Sequence, residues 1–92
     1  MVNSYYKCAI GGRFVTVWPA MTGESAFYDV VYGEEARYEH ARRASRVTAR
    51  EAACYVLTEL GVPHATSVNS LTRMISNWRA EYDAEYRGVV IL

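Results

Sequence analysis

The side chains best suited to metal binding or nucleophilic catalysis in this sequence are Cys8, Cys54, His40 and His64. Their spacing organises no such chemistry. Zinc sites draw their ligands from close pairs, and these four residues are scattered along the chain. Neither histidine has a Ser, Cys or Asp in the pattern that marks a nucleophile and its base. Gly11-Gly12 lacks the further glycines and the lysine of a phosphate-cradling loop and reads as a hairpin turn. Glu34-Glu35 opens a helical stretch, where carboxylates offset the helix dipole. The expectation is a protein that is not an enzyme and takes no cofactor or metal. Its cysteines are expected to be reduced core thiols in a cytoplasmic protein.

Recognition chemistry is better represented. Of the ten basic residues nine are arginine, and of the twelve aromatics eight are tyrosine. Arg37, Arg42, Arg43, Arg46 and Arg50 form a group opposed within its span only by Glu39. On one continuous helix the last four would share roughly 100° of arc. Such a stripe suits phosphate or carboxylate groups, which a guanidinium holds with a two-pronged fork. Arg, Tyr and Trp are also the types enriched at interface hot spots. Twelve aromatics exceed what a core this small conceals, so Tyr5, Trp18, Tyr28 and Tyr32 are expected to contribute to a partner-binding surface. Tyr28 and Tyr32 are expected at a sheet edge.

Ninety-two residues make a single domain, 1–92, with one modest core. A formal charge of zero argues against coating nucleic acid by net charge alone. No basic-then-apolar leader opens the chain, and no apolar run reaches the length of a membrane span. Those features suggest a soluble protein of the cytoplasm that makes no membrane contact.

The elements that must position these groups follow from periodicity. Residues 5–10 and 13–18 flank the Gly-Gly turn, which pairs Ile10 with Arg13, Cys8 with Val15 and Tyr6 with Val17. Tyr6, Cys8, Ile10, Val15 and Val17 then form a core face, and Tyr5, Lys7, Phe14, Thr16 and Trp18 an amphipathic second face. A loop spans Pro19–Ser25, and Ala26–Tyr32 has the composition of a third strand. Glu34 to about Ser45 reads as a helix with a thin apolar stripe. Thr48-Ala49-Arg50-Glu51 is a capping box opening a helix to Leu60 that buries Ala52, Ala53, Val56, Leu57 and Leu60, and Gly61 stops it. A further helix is expected from near Ser67, with Val68, Leu71, Ile75, Trp78 and Tyr82 as its apolar seam and Asn69, Arg73, Asn77 and Glu81 opposite. Gly88–Leu92 is a short strand or a tail. The predicted fold class is α+β: a small antiparallel sheet, the hairpin plus one or two strands, packed against two or three helices.

The pair of helices from Thr48 to Arg79, joined through Gly61-Val62, resembles the helix-turn-helix of DNA-binding proteins. That resemblance implies that Thr66, Ser67, Asn69, Ser70, Arg73 and Asn77 face base edges, in a small DNA-binding regulator acting as a two-fold dimer. Two departures stand against it. Leu57 occupies the position usually held by a small residue, and Pro63–Ser67 lengthens the turn.

Taken whole, the chain resembles the small phage-encoded anti-CRISPR proteins in its size, its single domain and its lack of enzymatic motifs. That resemblance implies a stoichiometric inhibitor, expected as a monomer, that binds a host protein or ribonucleoprotein complex built of Cas subunits and guide RNA. The arginine group would then meet guide-RNA or DNA phosphate or an acidic protein surface, and the Tyr/Trp face would supply apolar anchors.

Overall fold

Gly11 and Gly12 both adopt positive φ, 57° and 80°, the backbone of a tight hairpin turn whose twist matches that of the flanking strands. Strands β1 (Tyr6–Ile10) and β2 (Arg13–Pro19) therefore pair antiparallel in the register Ile10–Arg13, Cys8–Val15, Tyr6–Val17. The computed structural model of the chain describes residues 2–20, 27–32 and 42–86. Within them β3 (Tyr28–Tyr32) pairs with β2, and β4 (Arg42–Val47) pairs with β3, giving a four-stranded antiparallel meander in the order β1-β2-β3-β4. The described residues bear out a small α+β fold.

Strand β4 replaces the end of the helix expected over 34–45. Its register with β3 shifts twice, from Tyr28–Val47 to Val30–Ala44 and then to Val31–Arg42. Such bulges insert residues into one strand and twist it. Arg46 takes the left-handed backbone, φ 55°, that a bulge usually assigns to glycine. A buried carboxylate fixes it there: the Arg46 N–H donates to Asp29 Oδ1 at 3.0 Å. The remainder of that expected helix, the tip of the 19–25 loop and the 88–92 tail lie outside the described residues.

Two helices cover one face of the sheet. Helix α1 (Ala49–Leu60) begins at the predicted box: Thr48 Oγ1 accepts from Glu51 N at 3.2 Å, and Glu51 Oε1 accepts from Thr48 N at 3.0 Å. It ends at Gly61, φ 70°, with Val62 N donating to Leu57 O at 2.9 Å. The five residues predicted to be buried on α1 are its buried residues. Helix α2 (His64–Tyr86) starts earlier than expected, directly after Pro63, so the connection is only Gly61-Val62-Pro63. Thr58 Oγ1 and His64 Nε2 meet at 3.1 Å and tie the last turn of α1 to the first of α2.

Val15, Val17, Tyr28 and Val30 of the sheet meet Ala52, Ala53, Val56, Leu57 and Leu60 of α1 and Val68, Ile75 and Trp78 of α2 in one core. Trp78 also anchors the chain's start, donating from Nε1 to Asn3 O at 3.0 Å. Val2 N–H donates to Glu85 Oε2 at 2.6 Å, and the Tyr86 hydroxyl donates to Val2 O at 2.7 Å. A row of rings, Tyr6, Trp78, Tyr82 and Tyr86, runs beneath these bonds with centroids 6.2, 5.6 and 4.8 Å apart. Among the described residues, no helix is long and apolar enough to cross a membrane.

Candidate functional site

The capping box decides where Arg50 stands. It lies in the first turn of α1, exposed, and its Nη1 donates to Asn69 Oδ1 on α2 at 2.8 Å. Asn69 is the first of three exposed residues at successive four-residue steps, Asn69, Arg73 and Asn77. They share the outer face of α2 because Val68, Ile75, Trp78, Arg79 and Asp83 take the inner one. The result is a polar strip, cationic at the end where α1 begins. Glu51 is the nearest acid in sequence, and its carboxylate is engaged by the Thr48 amide, which together with the Thr48 hydroxyl holds it below its usual range. Glu81, one further turn along α2, makes the far end acidic. The strip offers guanidinium and amide donors to an anionic or amide-rich partner.

The predicted binding residues are otherwise dispersed. Arg42, Arg43 and Arg46 belong to strand β4, where a two-residue period replaces the helical period on which the stripe depended. The stripe is therefore corrected. Arg46 is exposed, with its guanidinium 4.7 Å from the Phe27 ring. Arg37 lies outside the described residues. Tyr28 is 4 % exposed and faces the core, with the Arg79 guanidinium 5.3 Å from its ring. Burial raises its phenol pKa. Tyr28 and Tyr32 are not at a sheet edge, because β4 flanks their strand. Tyr32 is half-buried.

Tyr5 and Trp18 stack at 4.7 Å and 28°, both half-buried, and Trp18 Nε1 donates to Thr16 Oγ1 at 2.9 Å. They sit on the second sheet face, whose centre is less open than expected: Thr16, Asp29 and Val31 are buried there.

Sequence reasoning missed the buried pair Arg79 and Asp83, 3 % and 1 % exposed, with Nε and Oδ1 at 3.0 Å. Arg79 Nη1 also donates to Phe27 O at 2.9 Å, pinning α2 to the start of β3. The one available signal was the four-residue spacing of opposite charges on a helix, which is ordinarily a surface arrangement. Also missed was a cleft of about 400 Å³ between β1 and α2, with Cys8, Leu57, Leu60, Val62, Leu71 and Met74 among its walls. Burial pushes the Cys8 thiol up to about 11, far from the reactive range. Among the described residues, no group of three potential ligands could hold a metal ion.

Compared with known proteins, the chain matches no family model, no curated protein and no solved structure.

Proposed function

We propose that this chain is a non-enzymatic binding protein that docks on a host nucleoprotein complex as a stoichiometric inhibitor of the anti-CRISPR kind. Its contact surface is the strip of Arg50, Asn69, Arg73 and Asn77. The observation that carries the reading is the Arg50–Asn69 hydrogen bond, which joins the last of the predicted arginines to the polar face of α2. The strip presents side chains with fixed donors, the kind of group that meets phosphate oxygens and backbone carbonyls alike. Arg46 stands four residues before Arg50, and the stacked Tyr5–Trp18 pair is the remaining aromatic anchor of this reading.

The test is capture from host lysate by the tagged chain, with and without nuclease, for the wild type and for Arg50→Ala/Arg73→Ala. Retention of a defined complex by the wild type and its loss in the variant supports the proposal. Equal capture by both removes it.

A DNA-binding regulator is the second reading, favoured by one specific observation. The turn between α1 and α2 is three residues, shorter than the sequence suggested, while Asn69, Arg73 and Asn77 all face outward. Duplex DNA titrated in increasing salt separates the two. A regulator binds bare duplex with an affinity that falls steeply with salt, by a factor set by the number of phosphates contacted. An inhibitor of a nucleoprotein ignores bare duplex.

A further inference from the structure

Among the described residues strand β1 ends the sheet, and the hairpin fixes which of its backbone groups are left over. In a two-residue hairpin the closing pair is hydrogen-bonded, and such pairs then alternate along the strands. With Ile10–Arg13 closing the turn, Ile10, Cys8 and Tyr6 bond to β2. The N–H and C=O groups of Lys7 and Ala9 therefore point away from the sheet.

Natural edges are usually blunted, often by a lysine standing off the strand. Here that lysine is turned aside: Lys7 Nζ lies 4.5 Å from the Phe14 ring centroid, over β2 and the body of the sheet. Beside the open edge Ile10 is 50 % exposed and Met74 is 52 % exposed, at opposite walls of the β1–α2 cleft.

We propose that this edge pairs with the same edge of a second copy, giving a two-fold dimer with one continuous eight-stranded sheet. The inference is independent of the reading above, and it departs from the monomer expected from the sequence. Strand parity and overlap select the register. Outward groups belong to odd-numbered residues, so Lys7 and Ala9 must pair with odd-numbered residues of the other copy. Of the two-fold registers, the one that overlaps the whole strand Tyr6–Ile10 with itself sets Lys7 against the other Ala9, Ile10 against the other Tyr6, and Cys8 against the other Cys8. The registers shifted by two residues to either side overlap only Tyr6–Cys8 or only Cys8–Ile10 with the same stretch of the other copy. In the selected register each Lys7–Ala9 pair exchanges two backbone bonds, and each exposed Ile10 gains a tyrosine ring. An isologous contact of this kind closes on itself and does not propagate.

Cys8 reports the register directly. It falls at a non-hydrogen-bonded position, where opposed Cα atoms lie roughly 4.5 Å apart, inside the range a disulfide spans. The full chain is sedimented across the micromolar range and then oxidised at alkaline pH, where the raised thiol ionises. The expected result is a species of twice the 10.4 kDa chain mass, trapped as a Cys8–Cys8 disulfide on peptide mapping. Hydrogen exchange at the Lys7 and Ala9 amides slows as the chain concentration rises. Ala9→Pro deletes an outward N–H without touching the β1–β2 ladder, and it weakens association by at least about tenfold.

Should that variant fail to fold, trapping and exchange in the wild type still decide. A monomer at every concentration overturns the proposal, as does trapping through Cys54. Protection of the Lys7 and Ala9 amides that appears only when a foreign partner is added also overturns it, and assigns the edge to that partner's strand.

Discussion

Arg79 and Asp83 face each other one turn apart on α2 with almost no contact with solvent, their Nε and Oδ1 atoms at 3.0 Å. The guanidinium is further held by the Phe27 carbonyl and by the rings of Tyr28 and Tyr82, at 5.3 and 5.9 Å. Removing one member of such a pair leaves a buried charge uncompensated, at a cost of about 3–5 kcal/mol. A domain of this length has a total stability of roughly 5–14 kcal/mol. Asp83→Ala is therefore expected to lower the urea midpoint severely. The double variant Arg79→Met/Asp83→Leu should recover most of the loss, because neither charge of the pair then remains buried. Denaturation of the three proteins side by side checks both statements.

The capping box predicts an acid-sensitive element. Glu51 is held below its ordinary value of 4.5 chiefly by the Thr48 amide. A carboxylate with a lowered folded pKa adds stability that is full above 4.5 and is lost as pH falls through the folded value. Glu51→Gln should flatten the stability profile over that acid range. Thr48→Ala should cost about 1 kcal/mol at neutral pH, as other threonine caps do. Both are read by thermal melts at several pH values.

Arg46 offers a way to test surface chemistry without disturbing the fold. Its left-handed backbone costs an L-residue on the order of 1–2 kcal/mol, which glycine avoids. The contact with Phe27 that glycine would forfeit contributes about 0.5–1 kcal/mol. Arg46→Gly should thus leave stability within about 1 kcal/mol of wild type. Any loss of partner binding by this variant, measured by titration calorimetry, then belongs to the guanidinium itself.

Arg73→Ala and Asn77→Ala should leave the melting temperature nearly unchanged, since both side chains are exposed on the outer face of α2. Arg50→Ala should behave alike, losing only the exposed bond to Asn69. A drop in partner capture by these folded variants, and none by a control at exposed Tyr55, would locate the interface.

Much of this architecture is legible in the sequence where the signal is local. Gly11-Gly12 sets the hairpin register, Thr48 and Glu51 mark where α1 begins, and the seam from Val68 to Tyr82 orients α2. The errors arise where distant residues decide. Arg42–Val47 has the composition of a helix end, yet it becomes a strand because β3 has an edge to fill and because Asp29 captures the Arg46 amide. No window of sequence around Arg46 contains Asp29. The same holds for Tyr28, which reads as an edge residue in the sequence but lies opposite Val47 of the fourth strand. Arg79 and Asp83 show the opposite failure, since their spacing was visible but burial of both charges depends on the Phe27 carbonyl from another part of the chain.

The ties at the start of the chain carry a consequence for biosynthesis. Val2 is clasped by Glu85 and Tyr86, and Asn3 by Trp78, so these residues are fastened by groups made 75 to 84 residues later. Translation adds roughly 5–20 residues per second. Throughout that interval the hairpin can form, but its opening segment has nothing to close upon while α2 is still inside the ribosome. The Val2–Asn3 segment therefore closes only once α2 has emerged, and a nascent chain stalled before Trp78 emerges should stay protease-sensitive there.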